Sequence, residues 1–530
     1  MQTERAIVTR RDLLSLIGAV SGSAAMYHAM TSLGFASDSG YRGPIKLDGD
    51  PKGASVLVLG AGLAGMTAAL ELRKAGYKVQ VLEFNSRAGG RNWTLRGGDS
   101  FTELGGLSQT CEFEQGLYLN PGPWRIPYHH RAVLDYCKRL GVTLEPFLQL
   151  NHNAFLHAAG AFGGVPQRIR DIKTDFQGQV SELLAKATRQ GKLDEAVTKE
   201  DREILMQALR SWGALDRNYA YKANLIAADL RGYARDPGGG LSAVPGPGEP
   251  IDLSDILKSR LWRHLQNFAR YNFQTTMFQP VGGMDMIGKA FAREIGDVIR
   301  YDAKVTRIQQ DDRGVTVTYT DLKAPATPQL AKADWCVCTI PLSILSQIPI
   351  DVGGRMKAAI DAVPYSSSVK IGLQFKRRFW EEDEAIYGGI SYTDLPIQQI
   401  AYPNAGFNRA GRGVLLGAYI FGPGAFEFTS MAPAERIARA VEFGAAIHPQ
   451  YRTEYENGVA VAWHRMPFTL GCAGDWSEQA RAEHYKNLCQ IDGRIVLAGE
   501  HASYIPAWQE GAILSSLDAI SRLHDRVVNT

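Results

Sequence analysis

One segment constrains this chain more than any other: a glycine-rich turn with a strand before it and a helix and second strand after it. Ser55-Val-Leu-Val-Leu59 is the short apolar run of a strand buried on both faces. Gly60-Ala-Gly62-Leu-Ala-Gly65 comes next, Met66 to Ala75 has apolar residues at helical spacing, and Lys78-Val-Gln-Val-Leu-Glu83 is a second strand ending in an acid. In such a βαβ unit the first glycine permits a tight turn, the second lets the backbone approach a pyrophosphate, and the third lets helix and strand pack closely. The helix N-terminus offers free N–H groups and a positive dipole end to phosphates. The acid can accept hydrogen bonds from a ribose diol. The unit predicts a Rossmann-like dinucleotide site formed by Gly60, Gly62, Leu63, Ala64, Gly65, Glu83 and Phe84.

At 530 residues the chain is long enough for two or three domains. The charge of +3, from 58 basic against 55 acidic residues, argues against a nucleic-acid binder, which needs a clustered basic surface. The six cysteines form no CxxC pair and show no zinc-ligand spacing, so no metal is expected. Cys336 and Cys338 sit in an apolar run and read as buried thiols on one face of a strand. Charge runs such as Glu195 to Arg202, Lys376-Arg-Arg378 and Glu381-Glu-Asp-Glu384 read as solvated surfaces, and His129 and His130 as solvent-facing.

Near the N-terminus, Thr9-Arg10-Arg11-Asp12-Leu13-Leu14 resembles a twin-arginine export signal. The weakly apolar stretch after it is interrupted by Ser15, Gly18, Ser21 and His28, which makes a poor membrane span. Residues 37–54 read as a polar Gly/Pro linker. Export of a folded, cofactor-loaded protein to the periplasm or beyond is the expectation, with a cytoplasmic protein as the alternative.

Just after Glu83, Asn85-Ser-Arg-Ala-Gly89-Gly90-Arg91 supplies a second glycine turn with an arginine suited to a diphosphate. Near the other end, Gly493-Arg-Ile-Val-Leu-Ala-Gly499-Glu500-His501 is a strand running into a glycine and an acid, and Ala507-Trp508-Gln-Glu-Gly511-Ala-Ile opens a helix. Together these resemble the paired flavin motifs of the flavin-containing amine oxidase family. The resemblance covers about residues 53–150 and 265–523, and within the family it is nearest to the L-amino-acid oxidases. It implies an α/β plus α+β chain: a Rossmann-like FAD-binding domain, a mixed-sheet substrate domain and a helical insert. The expected division is 1–52 signal and linker; 53–92, 265–345 and 488–530 FAD-binding; 93–150 and 346–487 substrate-binding; and 151–264 helical. Non-covalent FAD would then contact Gly90, Arg91, Gly105, Gly106, Val305, Gly499, Glu500, Trp508, Gln509 and Ala512 as well.

The same resemblance implies the substrate site. Gly122-Pro-Trp-Arg125-Ile-Pro resembles the stretch whose arginine grips a substrate carboxylate, which a guanidinium can do through two parallel hydrogen bonds. Glu103-Leu-Gly105-Gly106 resembles the segment just before that arginine, so residues 107–121 read as an insertion. An uninterrupted alignment would place Ser108, not Arg125, at the arginine position. Lys370, in Ser368-Val-Lys370-Ile-Gly-Leu-Gln-Phe375, matches the lysine that holds a water against the flavin. Tyr419 matches a second carboxylate partner, the Ala507 carbonyl would accept from the substrate amine, and Trp508 would wall the cavity. The implied reaction is oxidation of L-amino acids by O2 to 2-oxo acids, ammonia and hydrogen peroxide. Trp124 and Trp508 point to large apolar or aromatic side chains, and the family implies a homodimer; the interrupted N-terminal stretch implies no membrane span. The alternatives are an amine oxidase and an amino-acid 2-monooxygenase on the same fold.

Overall fold

The computed structural model describes residues 39–193, 197–242 and 244–529. The twin-arginine segment, and Glu195 of the charged run, lie outside these residues. Two sheets organise the chain. The first has six strands, in the order Ile299–Arg300, Lys78–Leu82 (β2), Ser55–Leu59 (β1), Trp335–Cys338, Ile495–Leu497 and Ile491–Asp492. All are parallel except the last pair. Val56 to Leu59 and Trp335 to Cys338 are buried throughout, as strands covered on both faces must be, and Cys336 and Cys338 lie among them. Helices Leu63–Lys74 (α1), Arg131–Arg139 (α2) and Gln509–Val528 (α3) belong to the core on one face, where Met66, Val133, Ile513 and Ile520 are buried. The core on the other face is built from Ala303–Asp311, Gly314–Asp321 and Gln329–Ala333, a three-stranded meander.

The second sheet has seven strands: Gln167–Arg168, Phe155–His157, Ile390–Thr393, Gln399–Ala401, Gly413–Phe421 (β4), Ser368–Phe375 (β3) and Tyr455–Ala462. It is antiparallel but for one pair, so a mostly parallel sheet stands with a mostly antiparallel, mixed one, the fold class that the sequence predicts. Every residue of β3 is buried, including Lys370, which pairs directly with Tyr419 of β4. Between residues 151 and 264, the first part supplies strands Phe155–His157 and Gln167–Arg168 to this sheet. The helices come after them: Ile169–Arg189, Lys199–Trp212 and Leu225–Arg231 share a small core of their own, and Leu253–Ser259 buries Ile256 in the core of the sheet. Among the described residues no helix is long and apolar enough to cross a membrane.

Two surface readings are overturned. Arg378 and Glu381 are buried and paired with each other, while only their neighbours Arg377, Glu382 and Asp383 form an exposed ion-pair group. His129 and His130 are only 3% and 1% exposed. They sit where the loop before α2 meets aromatic rings: His129 stacks on Tyr271 with centroids 4.3 Å apart, and His130 meets Trp508 edge-on at 4.9 Å. A pattern of polar residues cannot reveal an aromatic lid supplied by residues more than a hundred positions away.

Candidate active site

A cavity of about 620 Å³ opens at the carboxyl ends of the parallel strands. Gly60 follows β1, Glu83 follows β2, Thr339 follows Trp335–Cys338 and Gly499 follows Ile495–Leu497, and all four line it. This is where an open α/β sheet binds its ligand. The turn after β1 is backbone-built. Gly60 has φ +103°, and a Cβ on Gly65 would stand 1.9 Å from the Gly60 carbonyl oxygen, so no larger residue fits there. A Cβ on Gly62 would meet nothing within 4 Å, because its backbone faces the cavity. α1 begins at Gly62 with no side-chain cap, leaving its first N–H groups to the cavity.

Glu83 is buried, accepts from the Ala61 N–H at 2.6 Å and from Asn85 at 2.8 Å, and is pushed up by burial. Across the cavity Arg91 joins distant segments. Its Nη1 donates to Glu500 at 2.8 Å and to the Cys472 carbonyl at 2.7 Å, and the other Glu500 oxygen accepts from the Ala507 N–H at 3.0 Å. Burial alone would raise the Glu500 carboxyl, but the Arg91 guanidinium brings it net below its ordinary value. α3 starts at Trp508, also without a side-chain cap, and Gln509 and Ala512 of its first turn line the cavity. Two uncapped helix N-termini, one arginine and an apolar floor fit an extended cofactor with a phosphate middle and a ring end.

The ring end merges with an aromatic chamber. Arg125 projects from the loop before Ile126–Pro127, its guanidinium 4.3 Å from the Phe273 ring, 5.1 Å from Trp124 and 5.9 Å from Trp508. Its Nη1 donates to the Gln149 side-chain oxygen at 2.8 Å. Tyr419 and Trp124 meet edge-on at 5.5 Å, and both line the cavity with Arg125, Ala507 and Trp508. Ala507 holds a left-handed φ of +67°, a conformation that glycine adopts more readily.

Lys370 stands just behind this wall. Its Nζ lies 4.5 Å from both the Trp124 and Tyr419 rings and donates to the carbonyls of Asn120 at 3.3 Å and Gly122 at 2.5 Å. Burial, reinforced by the charge of Arg125, pushes its pKa well below the ordinary lysine value.

The structure therefore gathers at one cavity Gly60, Gly62, Leu63, Ala64, Glu83, Phe84, Gly90, Arg91, Arg125, Val305, Tyr419, Gly499, Glu500, Ala507, Trp508, Gln509 and Ala512. Gly65 supports the turn from behind. Gly105 and Gly106 do not line the cavity, although their neighbour Leu104 does. With φ of +92° and +82° they turn the tip of an exposed hairpin, Ser100–Thr102 paired with Ser108–Thr110. That hairpin is held to the sheet edge by Gln109, whose amide pairs both ways with the Ala460 backbone. Buried Glu103 anchors its loop through Arg436 at 2.8 Å. Ser108 lies in this hairpin, and Arg125 is the arginine on the cavity wall. The glycine that approaches the cofactor turn is Gly122, where a Cβ would stand 1.9 Å from the Arg91 carbonyl oxygen.

Three further residues support the site from behind its lining. Gln149 holds Arg125, Phe273 covers it, and Arg87, pushed down to about 10 by burial, donates to the Gly90 carbonyl at 2.9 Å. Only Arg87 had a signal, as the first arginine of the Asn85–Arg91 turn.

The chain as a whole is similar to known proteins. An L-amino-acid oxidase of Siganus canaliculatus is 28% identical over 481 residues, covering 89% of this chain and 86% of that protein. One of Bungarus fasciatus is 27% identical over 492 residues, covering 90% and 88%. The solved structure of putrescine oxidase bound to putrescine superimposes with a TM-score of 0.57 over 90% of this chain and 99% of that one. At 18% identity that likeness is one of fold. Residues 63–523 match the family of flavin containing amine oxidoreductases, and the chain belongs to that family.

Proposed function

We propose that this chain is an FAD-dependent L-amino-acid oxidase that turns an L-amino acid, water and O2 into a 2-oxo acid, ammonia and hydrogen peroxide. One observation carries the reading: Arg125 and Tyr419 stand on one aromatic wall of the cofactor cavity, beside the Ala507 backbone and the start of α3. The relatives named L-amino-acid oxidase, at 27–28% identity, support it.

Bound FAD would supply the two-electron oxidant for the substrate Cα–H bond. Gly62, Glu83, Arg91 and the N-terminus of α1 are the groups to hold its phosphate and ribose portions, and the N-terminus of α3 its ring end. Arg125 and Tyr419 bind the substrate carboxylate, and the Ala507 carbonyl accepts a hydrogen bond from the amine. Trp124, Phe273 and Trp508 exclude water around the Arg125 guanidinium and strengthen its hold. Lys370 fixes the Asn120–Gly122 backbone from below. No side chain is needed as general base if the amine arrives neutral; positioning does the work. The twin-arginine segment supports export to the periplasm or beyond, and a homodimer is the proposed assembly.

The test is peroxide release in air from the purified yellow protein, with L-amino acids, their D-forms and the matching decarboxylated amines. Peroxide from L-amino acids alone supports the carboxylate clamp. Peroxide from amines alone makes the chain an amine oxidase, the reading that the putrescine oxidase fold also allows.

A further inference from the structure

The N-terminus of α2 lacks a cap of its own. His130 occupies the cap position and makes no capping hydrogen bond. The donors that a cap normally satisfies are the N–H groups two and three residues on. Here they are those of Ala132 and Val133, and each donates at 2.9 Å to a different carboxylate oxygen of Glu510. Glu510 is fully buried in the first turn of α3 and does not line the cavity. The Ser39 hydroxyl also donates to it. One helix is thus capped by a carboxylate from another.

Both ends of this cross-link lead to the substrate chamber. Glu510 lies two residues beyond Trp508. His130 lies five residues beyond Arg125, and its buried ring packs edge-on against Trp508 at 4.9 Å. Arg125 in turn lies 5.9 Å from the Trp508 ring. The path from Arg125 through His130 and the start of α2 to Glu510, and back through Trp508, is a closed ring of bonds and contacts.

We propose that Glu510 is a positioning residue, which by capping α2 from α3 fixes the spacing between Arg125 and Trp508 without touching substrate. The inference rests on the reading that these two residues hold the amino acid. Without the carboxylate, the Ala132 and Val133 N–H groups are left buried without acceptors. α2 and α3 then lose the bond that sets their approach. A displacement near 1 Å at a substrate clamp costs about 10²-fold in rate.

The experiment uses the full flavin-loaded chain with Glu510→Gln, Glu510→Asp and Glu510→Ala, each with and without Trp508→Phe. The readouts are flavin absorbance per protein, kcat and KM for the best L-amino acid, and the Kd of the corresponding 2-oxo acid from the flavin spectrum. Expected for Glu510→Gln is an undiminished flavin content, a kcat/KM lower by about 10²-fold and a weaker 2-oxo acid complex. Glu510→Asp, which keeps both oxygens, recovers part of the loss. Trp508→Phe costs less in the Glu510→Gln background than alone, because the wall is already displaced. If Glu510→Ala does not fold, the Gln and Asp variants carry the test. Should Glu510→Gln lower only the melting temperature, with kcat/KM within twofold of wild type and an unchanged cost of Trp508→Phe, the carboxylate is a structural cap and the proposal is overturned. A wild type inactive on every L-amino acid overturns the oxidase reading and this inference with it; an active wild type with an unaltered Glu510→Gln variant overturns this inference alone.

Discussion

The two halves of the cavity are built in different ways. The cofactor half is made of backbone. Glycine turns and helix N-termini at the ends of parallel strands present N–H groups, and side chains enter chiefly as Glu83, Arg91 and Glu500. The half proposed to take the substrate is made of side chains. Arg125, Gln149, Phe273, Lys370, Tyr419 and Trp508 come from six separate segments, and of these only Lys370 and Tyr419 lie in the seven-stranded sheet. A backbone turn packed as closely as the one at Gly65 leaves no room for added atoms but suits a generic group, whereas a wall of side chains can be changed one residue at a time.

That contrast predicts opposite results from single substitutions. The largest effect belongs to Gly65→Ala, which drives a methyl group to within 1.9 Å of the Gly60 carbonyl oxygen. Forcing atoms into such a turn costs about 1–3 kcal/mol or more, and it does so at the phosphate-binding turn. The variant should purify with less than about a tenth of the wild-type flavin absorbance, consistent with a turn that has no room to relax. A yellow, fully loaded Gly65→Ala protein would break the comparison. Arg125→Ala should do the reverse. It keeps its flavin, but kcat/KM for amino acids falls by about 10³-fold, ~4 kcal/mol, as when one partner of a buried charged pair is removed. Decarboxylated amines, having no carboxylate to lose, should be affected little.

The same contrast explains what the sequence made legible. The βαβ unit carries its meaning in consecutive residues, so order and spacing alone assign Gly60, Gly62, Gly65 and Glu83 to the cofactor turn. The far segment around Glu500 was legible because it too is a strand running into a turn and a helix. Gln149 and Phe273 left no mark, since a glutamine or phenylalanine in a loop has no spacing rule attached to it. Gly105 and Gly106 do not line the cavity although their neighbour Leu104 does. A glycine pair suits a hairpin tip as well as a cofactor turn, and local sequence does not state which sheet edge a hairpin will cover. The buried histidines obey the same logic, since His130 is hidden by Trp508, 378 residues away.

A smaller effect should come from Gln149→Leu. The Arg125 guanidinium then loses a neutral oxygen that holds it in place at 2.8 Å. A hydrogen bond to a charged group is worth about 1.5–3 kcal/mol. The guanidinium keeps its charge, so only orientation is lost, and KM for amino acids should rise about tenfold while flavin content stays constant. Steady-state kinetics beside Arg125→Ala would separate the orientation of the clamp from its charge. An unchanged KM would mean that the aromatic rings around Arg125 suffice to fix it.

The smallest predicted effect asks whether the two halves are also separate in stability. His448, in the substrate half, is fully buried and bonded to Tyr402 at 2.6 Å; burial pushes it down to about 3. His501, beside the cofactor half, is pushed down to about 4, again by burial. In an unfolded chain both would titrate near 6.5. Between pH 6.5 and about 4 the unfolded chain therefore binds protons that the folded one does not. The stability from neutral burial is fully present above pH 6.5 and is lost as pH falls, by up to about 1.4 kcal/mol per pH unit for each histidine. Melting temperature measured from pH 7 to 4 should decline, and the decline should be shallower in His448→Gln and in His501→Gln. If the halves are separate, the His448 variant will preserve turnover at low pH while flavin release keeps its wild-type profile, and the His501 variant will do the opposite. If both variants shift turnover and flavin release together, the cavity unfolds as one cooperative unit. The difference between its halves would then be one of recognition and not of stability.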